Sequence, residues 1–572
     1  MNFSIKSLLT ACLVVFATIF LSCSEEFLTP TVPGALTETA IQGTTGIENA
    51  VIGAYSQLSG RGGRFGSYNW VSGSIQGGEA NKGTTADDFG AINEVVEFRL
   101  TPTSQLPNDK WNVFYSGAVA ANAALRIAIG SEDPAVSDEF RNNMSGQALF
   151  LRSHFFFELS RHYQNFVYFD ETIDPLSFSE IPNGDNLALV VADMERAVGL
   201  LPETQSSVGM VNKSAAKAYL GKMMMYQGRF AEAAPILQDV IDNGVTSGGT
   251  SLDLLENYSD VFNAESDNNA ESLFAIQAAA NTGSVNNANY AFDLSHLQGT
   301  PIGGCCGFWQ PSFDLVNSFR VDASGLPFVD GTYRDGANAL VNDQGVESDA
   351  AFTADAGPLD PRLDHSVGRR GIPYLDWGVH PGKSWVRDQA HAGPYAPKKF
   401  IYYQRQSGTL QDGSSWTGGY TAVNFNIIRF ADVLLMAAEC YAQGDNLGLA
   451  VALVDRVRTR AANAAAFVKN DDGTDAANYQ IGTYGSFSSK ADALAKVYFE
   501  RKLELSNEGH RFYDLVRWGE VDGFMPGYLD YEQTFLPLQF GGANYNAAQD
   551  QYWPIPQSQL DLQPVLTQNP GY

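Results

Sequence analysis

The sequence predicts a mainly α-helical protein, a scaffold of helical hairpins toward both ends of the chain with a large irregular insertion of loops and short strands between them. Three observations predict it. Apolar residues recur three and four apart over long stretches on both sides of the middle, the spacing that gathers them on one helical face. Two of these stretches break at a short turn, Gln227-Gly228 and Gln443-Gly444, and then resume, as antiparallel helix pairs do. Between about 246 and 427 the texture changes to glycine, asparagine and aromatic residues with weak periodicity, which reads as loops and short strands.

Taken in order, the chain begins with Lys6 and an apolar run from Leu8 to Leu21, too short for a comfortable membrane span and shaped like the core of a secretory signal. The run closes on Phe20-Leu21-Ser22-Cys23, which resembles a bacterial lipobox with an atypical Phe in its first position. Residues 1–22 are then a lipoprotein signal peptide, and Cys23 becomes the acylated N-terminus. Acidic residues directly after such a cysteine, here Ser24-Glu25-Glu26, resemble the surface-export signal of Bacteroidota lipoproteins. The mature chain, 23–572, is expected to pack as one unit with an N-terminal helical part (about 23–245), the irregular insertion (about 246–427) and a C-terminal helical part (about 428–572).

The first helical stripe is Trp111, Tyr115, Val119, Asn122 and Leu125, and the next is Leu149, Phe150, His154, Phe157 and Arg161. Ala216, Tyr219, Leu220, Met223 and Tyr226 form a third, followed after the turn by Phe230, Ala233, Leu237 and Ile241. Phe430, Val433, Leu434, Ala437 and Tyr441 repeat the design, with Leu447, Val451, Val454 and Val457 after their own turn. Helix pairs with a short glycine turn and small residues at the crossing make a tetratricopeptide-like unit. Pro235 counts against the first pair, because an interior proline removes a backbone hydrogen bond. The insertion separates the two pairs, so no tandem array of fixed period is expected.

Charge and cysteines narrow the function. With 36 basic and 64 acidic residues the net charge is −28, a field that repels polyanions and argues against nucleic acid as a partner. Cys12 lies in the signal peptide and Cys440 on an apolar stripe, where a buried free thiol is the default. Cys305 and Cys306 are adjacent within Gly303-Gly304-Cys305-Cys306-Gly307. That arrangement admits a vicinal disulfide or two reduced thiols.

The C-terminal part carries a family resemblance. Arg429-Phe430-Ala431-Asp432-Val433-Leu434-Leu435-Met436-Ala437-Ala438-Glu439 resembles a helix of SusD/RagB-family lipoproteins, as do Phe499 to Leu505 and Glu508 to Gly519. Trp553-Pro554-Ile555-Pro556 and the closing Gln568-Asn569-Pro570-Gly571-Tyr572 are similar to the family's usual finish. Gly53-Ala54-Tyr55 and Phe150-Leu151-Arg152-Ser153 agree near the other end. The resemblance implies a protein lipid-anchored to the outer membrane and facing the cell exterior. It implies that the chain captures an oligosaccharide, or a peptide in the RagB branch, for a SusC-like TonB-dependent transporter, without catalysis and without a cofactor. Glu500, Arg501, Glu504 and Glu508 fall at helical spacing, so ion pairing explains them better than acid–base chemistry.

No H-E-x-x-H and no G-x-S-x-G motif occurs, and seven scattered histidines show no metal-ligand spacing. Gly382-Lys383-Ser384 has only the tail of a phosphate loop, and Asn470-Asp471-Asp472-Gly473 reads as a solvated turn. A surface glycoside hydrolase stays open, since two carboxylates suffice for that chemistry. A helical scaffold with no small ligand is the remaining alternative. Aromatic residues favour glycan, because a flat ring covers the apolar face of a sugar while polar neighbours bond its hydroxyls. Four of eight tryptophans, Trp309, Trp377, Trp385 and Trp416, lie in the insertion, and Trp70 lies in another irregular stretch. The expected ligand-binding residues are Tyr68, Trp70, Asn81, Trp309 and Trp385, with Arg387 and Asp388 beside the last, while Trp111, Trp518 and Trp553 are assigned to structure.

Replacing Cys23 by Ala is expected to move the protein from the membrane fraction to the soluble fraction, because the acyl chains supply the anchoring at about 0.8 kcal/mol per buried methylene. Fractionation of cells carrying the variant checks this, and retention in the membrane fraction would refute the lipoprotein reading.

Overall fold

The computed structural model describes residues 41–60, 66–283, 287–289, 292–298, 301–413 and 417–572, so Cys23 and Trp416 lie outside the described residues. Helices of eight residues or more are α1 (Thr44–Tyr55), α2 (Gln105–Ile129), α3 (Asp138–Tyr163), α4 (Leu187–Leu200), α5 (Lys213–Tyr226) and α6 (Phe230–Asn243). After the insertion come α7 (Phe430–Gln443), α8 (Leu447–Ala461), α9 (Lys490–Glu504), α10 (Arg511–Trp518) and α11 (Val521–Phe535). The fold is mainly helical, with tetratricopeptide-like hairpins at α5–α6 and α7–α8.

Local chemistry explains the helix starts. The Ser137 hydroxyl accepts from Phe140 N at 3.2 Å and the Asn212 side chain accepts from Ala215 N at 3.0 Å, and Ser489 accepts from Asp492 N at 3.1 Å. Each satisfies a backbone donor that the helix itself leaves unpaired. Pro235 sits inside α6 without ending it. Burial of Ala233, Leu237 and Val240 outweighs the lost hydrogen bond. The crossing with α5 is close because Gly221 has no side chain; a Cβ there would lie 2.6 Å from Leu237 Cδ2.

The helices pack in a continuous run: α1 on α2, α2 on α3, α3 on α4, α4 on α5, α5 on α6, then α6 on α7, with α7 holding α8 and α9. Pairs separated by the whole insertion in sequence are therefore neighbours in space. One hydrophobic core extends from Ile47 to Leu566. Strands form four two-stranded antiparallel ladders among the described residues. These pair β1 (Ala80–Gly83) with β3 (Phe308–Pro311), β2 (Ser272–Ile276) with β8 (Phe425–Arg429), β4 (Val367–Gly368) with β5 (Ala396–Pro397), and β6 (Gln411–Asp412) with β7 (Tyr420–Thr421).

A buried ionic lattice locks the insertion to the C-terminal helices. Arg429 donates to Glu271 at 2.6 Å, to Glu504 at 2.8 Å and to Glu508 at 2.8 Å. Arg362, from the insertion, holds Asp360 at 2.7 Å, Glu500 at 2.6 Å and Glu504 at 3.0 Å. Lys399 reaches Glu508 at 2.8 Å, Arg458 reaches Glu500 at 2.8 Å, and Arg460 pairs with both Glu271 and Glu504. A second set joins α5, α7, α9 and α10 through Lys222, Asp432, Arg501, Asp514, Arg517 and Glu439. The acidic residues that resemble a catalytic cluster in sequence are thus ion-pair partners sealed from water.

Burial pushes the Glu504 carboxyl up, but the Arg460, Arg429 and Arg362 guanidiniums outweigh it and hold the group well below the ordinary carboxylate range. The same opposition, with burial again the largest single cause, brings Asp514 to about 2 beside Arg501 and Arg517, and Asp314 to about 2 beside Lys502 and Arg334. Burial lowers His154, His296 and His365 to about 4 and His380 and His510 to about 3. Burial moves three acids the other way, Glu79 and Asp267 up to about 7 and Glu532 up to about 8.

Arg429→Ala strands three buried carboxylates and is expected to cost about 3–5 kcal/mol, read as a lower urea midpoint. The wild-type thermal midpoint should fall as pH drops below 6.5, because the unfolded histidines take up protons that the folded ones refuse. The three raised acids oppose that loss down to about pH 4.5 and then stop. Below pH 4.5 the depressed carboxylates add to the fall as pH approaches 2. A thermal midpoint flat from pH 6.5 to 3 would contradict this assignment.

Candidate functional site

Three segments distant in sequence meet beside a solvent-open cleft: β1 with the loop after it, β3, and the stretch Lys383–Ala392. β1 and β3 pair with Asn81 opposite Gln310 and Gly83 opposite Phe308. Gly83 has φ +77, and a Cβ on it would lie 2.3 Å from Gly307 O, so only glycine permits this approach. Asn81 then ties β1 to the third segment, donating from Nδ2 to Ala392 O at 3.0 Å while its Oδ1 accepts from Gly83 N at 2.8 Å.

The loop after β1 is shaped around one ammonium group. Lys82, fully buried, donates to Thr85 O at 2.9 Å, Ala86 O at 2.8 Å and Asp88 O at 2.9 Å. Three convergent carbonyls around one cation make Lys82 the internal counterpart of a bound metal ion. Burial lowers its pKa to about 8, against the pull of Asp88, Asp87 and Glu97. Arg387 clasps the outside of the same loop, donating to Thr84 Oγ1 at 2.8 Å and pairing with Asp88.

Arg387 and Asp388 line a cleft of about 700 Å³ with Gln344, Glu347, Asp349 and Lys383. Its walls are fastened by Gln344 Nε2 to Gln389 O at 3.0 Å, Gly345 N to Gln389 Oε1 at 2.7 Å and Ser384 N to Ser348 Oγ at 2.9 Å. Trp385, in the short turn between Lys383 and Arg387, is half-buried and packs edge-on against Tyr374 and His380, with centroids 5.9 and 5.3 Å away. Lys383 pairs with Glu347. The phosphate-loop fragment is therefore part of a cleft wall.

Four of the expected binding residues are not exposed. Tyr68 and Trp70 are 1% and 2% exposed, and Trp309 is 2% exposed. The Trp309 ring lies nearly parallel to Phe292 and Phe400, at 14° and 11°, and Trp70 sits 5.9 Å from it. Tyr68 meets Phe292 and Phe425 edge-on, each at 5.4 Å, and its hydroxyl donates to Ala288 O. Asn81 is fully buried and spends its amide on backbone. The expectation of exposed platforms at Tyr68, Trp70 and Trp309, and of a free amide at Asn81, is corrected on this ground. Large rings remove more apolar area from water by packing on one another than a loop surface would allow. Trp309 does so with φ +57, a left-handed conformation uncommon for a bulky residue. Arg387 and Asp388 line the cleft. Trp385, between Ser384 and Val386 of its wall, turns its ring to Tyr374 and His380 and is not one of the lining residues, so the expectation of a ring platform there is corrected as well.

Cys305 and Cys306 are joined as a vicinal disulfide. Their loop pairs with residues 295–298 and leads directly into Gly307, whose added Cβ would meet Arg387 Cβ at 3.8 Å. Thr84, Asp88 and Glu347 have no signal in the sequence, and Lys383 stands out there only as part of the phosphate-loop fragment. Ordinary polar residues on loops carry no periodic signal. Among the described residues no cluster of His, Cys, Asp or Glu could hold a metal ion. Trp553, 3% exposed, bonds Gln76 at 2.8 Å, and Trp518 bonds Glu439 at 3.0 Å while stacking on Tyr498 at 3.8 Å, consistent with structural roles.

Comparison with known proteins agrees across the chain. The family model described as "SusD family" matches residues 270–572, and one described as "Starch-binding associating with outer membrane" matches residues 67–225. The chain is 25% identical to SusD-like protein P2 of Formosa agariphila over 84% of each chain. It is 24% identical to SusD-like protein P25 of the same organism over 98% of this chain and 99% of the relative. A solved SusD superfamily protein of Bacteroides vulgatus superposes with TM-score 0.66 at 21% identity, covering 92% of this chain and 99% of the other. Surface glycan-binding protein A of Bacteroides thetaiotaomicron, solved with laminarihexaose, superposes with TM-score 0.61 at 19% identity, covering 91% and 98%.

Trp309→Ala is expected to lower stability by about 3–5 kcal/mol, the range for removing a large ring from a packed core. Denaturant unfolding measures it. A loss under about 1 kcal/mol would return Trp309 to the surface.

Proposed function

Because the chain belongs to the SusD family, we propose that it is a cell-surface lipoprotein that captures an oligosaccharide and delivers it to a SusC-like TonB-dependent transporter in the outer membrane. In this reading residues 1–22 direct export, Cys23 carries the lipid, and 23–572 acts as one unit. The observation that carries the ligand assignment is the cleft lined by Gln344, Lys383, Arg387 and Asp388. Its backbone is held by Lys82, Asn81 and Gln389, so the polar groups are positioned before ligand arrives. Preorganised groups lose less freedom on binding. The amide of Gln344 and the charged groups of Lys383, Arg387 and Asp388 suit a sugar's hydroxyls. A relative solved with laminarihexaose supports a glycan over other ligands. The proposal involves no catalysis: ligand is bound and released unchanged.

Isothermal titration of the soluble Cys23→Ala protein against an oligosaccharide panel that includes laminarihexaose tests the reading. At least one oligosaccharide should bind and be recovered intact, and Arg387→Ala or Asp388→Ala should weaken it by about tenfold or more, a loss of about 1.4 kcal/mol, with the thermal midpoint nearly unchanged. Shortened oligosaccharides in the recovered ligand would indicate a hydrolase. Binding of peptides only, or full affinity in the double variant, would overturn the assignment.

A further inference from the structure

On the α2 stripe Trp111, Asn122 and Leu125 are buried as a core face requires, but Tyr115 and Val119 between them are not. Trp111 is 3% exposed, Tyr115 is half-buried and Val119 is 45% exposed. Trp111, Tyr115 and Val119 line a cavity of about 480 Å³ whose other apolar walls are Val167, Phe169, Pro175 and Phe178. Phe178 lies flat on Phe169, with centroids 4.0 Å apart at 15°, and is itself only half-buried. Around these rings stand the amides of Asn112, Gln559 and Gln563 and the hydroxyls of Ser116 and Ser179. None of the lining residues is charged, although the chain carries −28, and none belongs to the Arg387 cleft.

Flat rings on one side and uncharged donors and acceptors on the other match a pyranose, which is apolar on its faces and hydroxylated at its edges. An ionised sugar fits poorly, because its carboxylate or sulfate would be desolvated with no counter-charge. We propose that this pocket is a second carbohydrate-binding site, taking a neutral sugar unit and acting independently of the Arg387 cleft. The proposal rests on the reading of the protein as a glycan binder and adds a site that this reading does not need. Leu176 and Leu562, 89% and 73% exposed, lie on the segments that form the mouth, so an apolar side chain of a protein partner is the competing occupant.

Titration calorimetry of the Cys23→Ala protein with a neutral oligosaccharide, and with its uronic-acid counterpart, decides between them. Two sites are expected for the neutral ligand. Arg387→Ala should leave one of them intact, while Phe178→Ala and Gln563→Ala should each weaken the other by about tenfold or more. Because Phe178→Ala also removes packing against Phe169, Asn112→Ala, at an exposed position, repeats the test without that loss. The uronic-acid ligand should occupy at most the Arg387 site. A single site in the parent protein, lost in Arg387→Ala and untouched by the pocket variants, overturns the second site and leaves the proposed function standing. No oligosaccharide binding in the parent protein overturns both.

Discussion

Ten charged side chains removed from water, five acidic and five basic, form the lattice around Glu504, and the rest of the architecture depends on their pairing. Moving a charge into the interior costs several kcal/mol per ion, recovered only when every partner is in place. The partners come from four places: Glu271 at the start of β2, Asp360, Arg362 and Lys399 in the insertion, Arg458 and Arg460 on α8, and Glu500, Glu504 and Glu508 on or just after α9, with Arg429 at the centre. An insertion with little secondary structure of its own thereby acquires a fixed position against the helices. Shifting it would leave carboxylates and guanidiniums unpaired together, a far larger penalty than any single loop contact could offset.

The cleft inherits its geometry from that anchoring. Lys383 to Ala392 can face the loop after β1 only because the insertion is held at Asp360–Arg362 and Lys399. Short-range devices then complete the arrangement: the Gly83–Gly307 approach, the amide of Asn81 spanning β1 and Ala392, and the ammonium of Lys82 inside a ring of carbonyls. Most groups that shape the site are buried and fully used by the protein. Asp388 faces the cleft from its surface, and Arg387 both positions and contacts, pairing with Asp88 and Thr84 while lining the cleft. Substitutions at the buried positions and at these two should therefore be read differently.

Aromatic residues divide along the same line. Trp309, Phe292 and Phe400 form a parallel stack inside the molecule, joined by Trp70 and Tyr68. This stack gives the irregular region a core of its own kind, built from rings where helices would use leucine and alanine. Half-exposed rings occur instead at Trp385, and on α2 beside Phe178. Tyr115 and Val119 show that a helical stripe can open onto a pocket between buried members, since the spacing of a face says nothing about what covers it.

From the residues alone the helices, the two glycine turns, the irregular middle and the ion-pairing role of Glu500, Glu504 and Glu508 were legible. The first three are local properties decided by spacing along one element. For the glutamates only the kind of interaction was legible, since their partners Arg362, Lys399, Arg429, Arg458 and Arg460 come from elsewhere in the chain and Arg501 pairs with Asp432 and Asp514 instead. The meeting of segments near 81, 309 and 385 has no counterpart in periodicity. Tertiary structure alone decided that Trp70 and Trp309 point into the core, that Trp385 packs on Tyr374 and His380 while Arg387 and Asp388 line a cleft, and that α6 lies against α7. A loop residue has no repeating face, so its exposure depends on which distant segments pack over it. That packing is determined by long-range charge pairing and ring burial, which no stretch of sequence contains by itself.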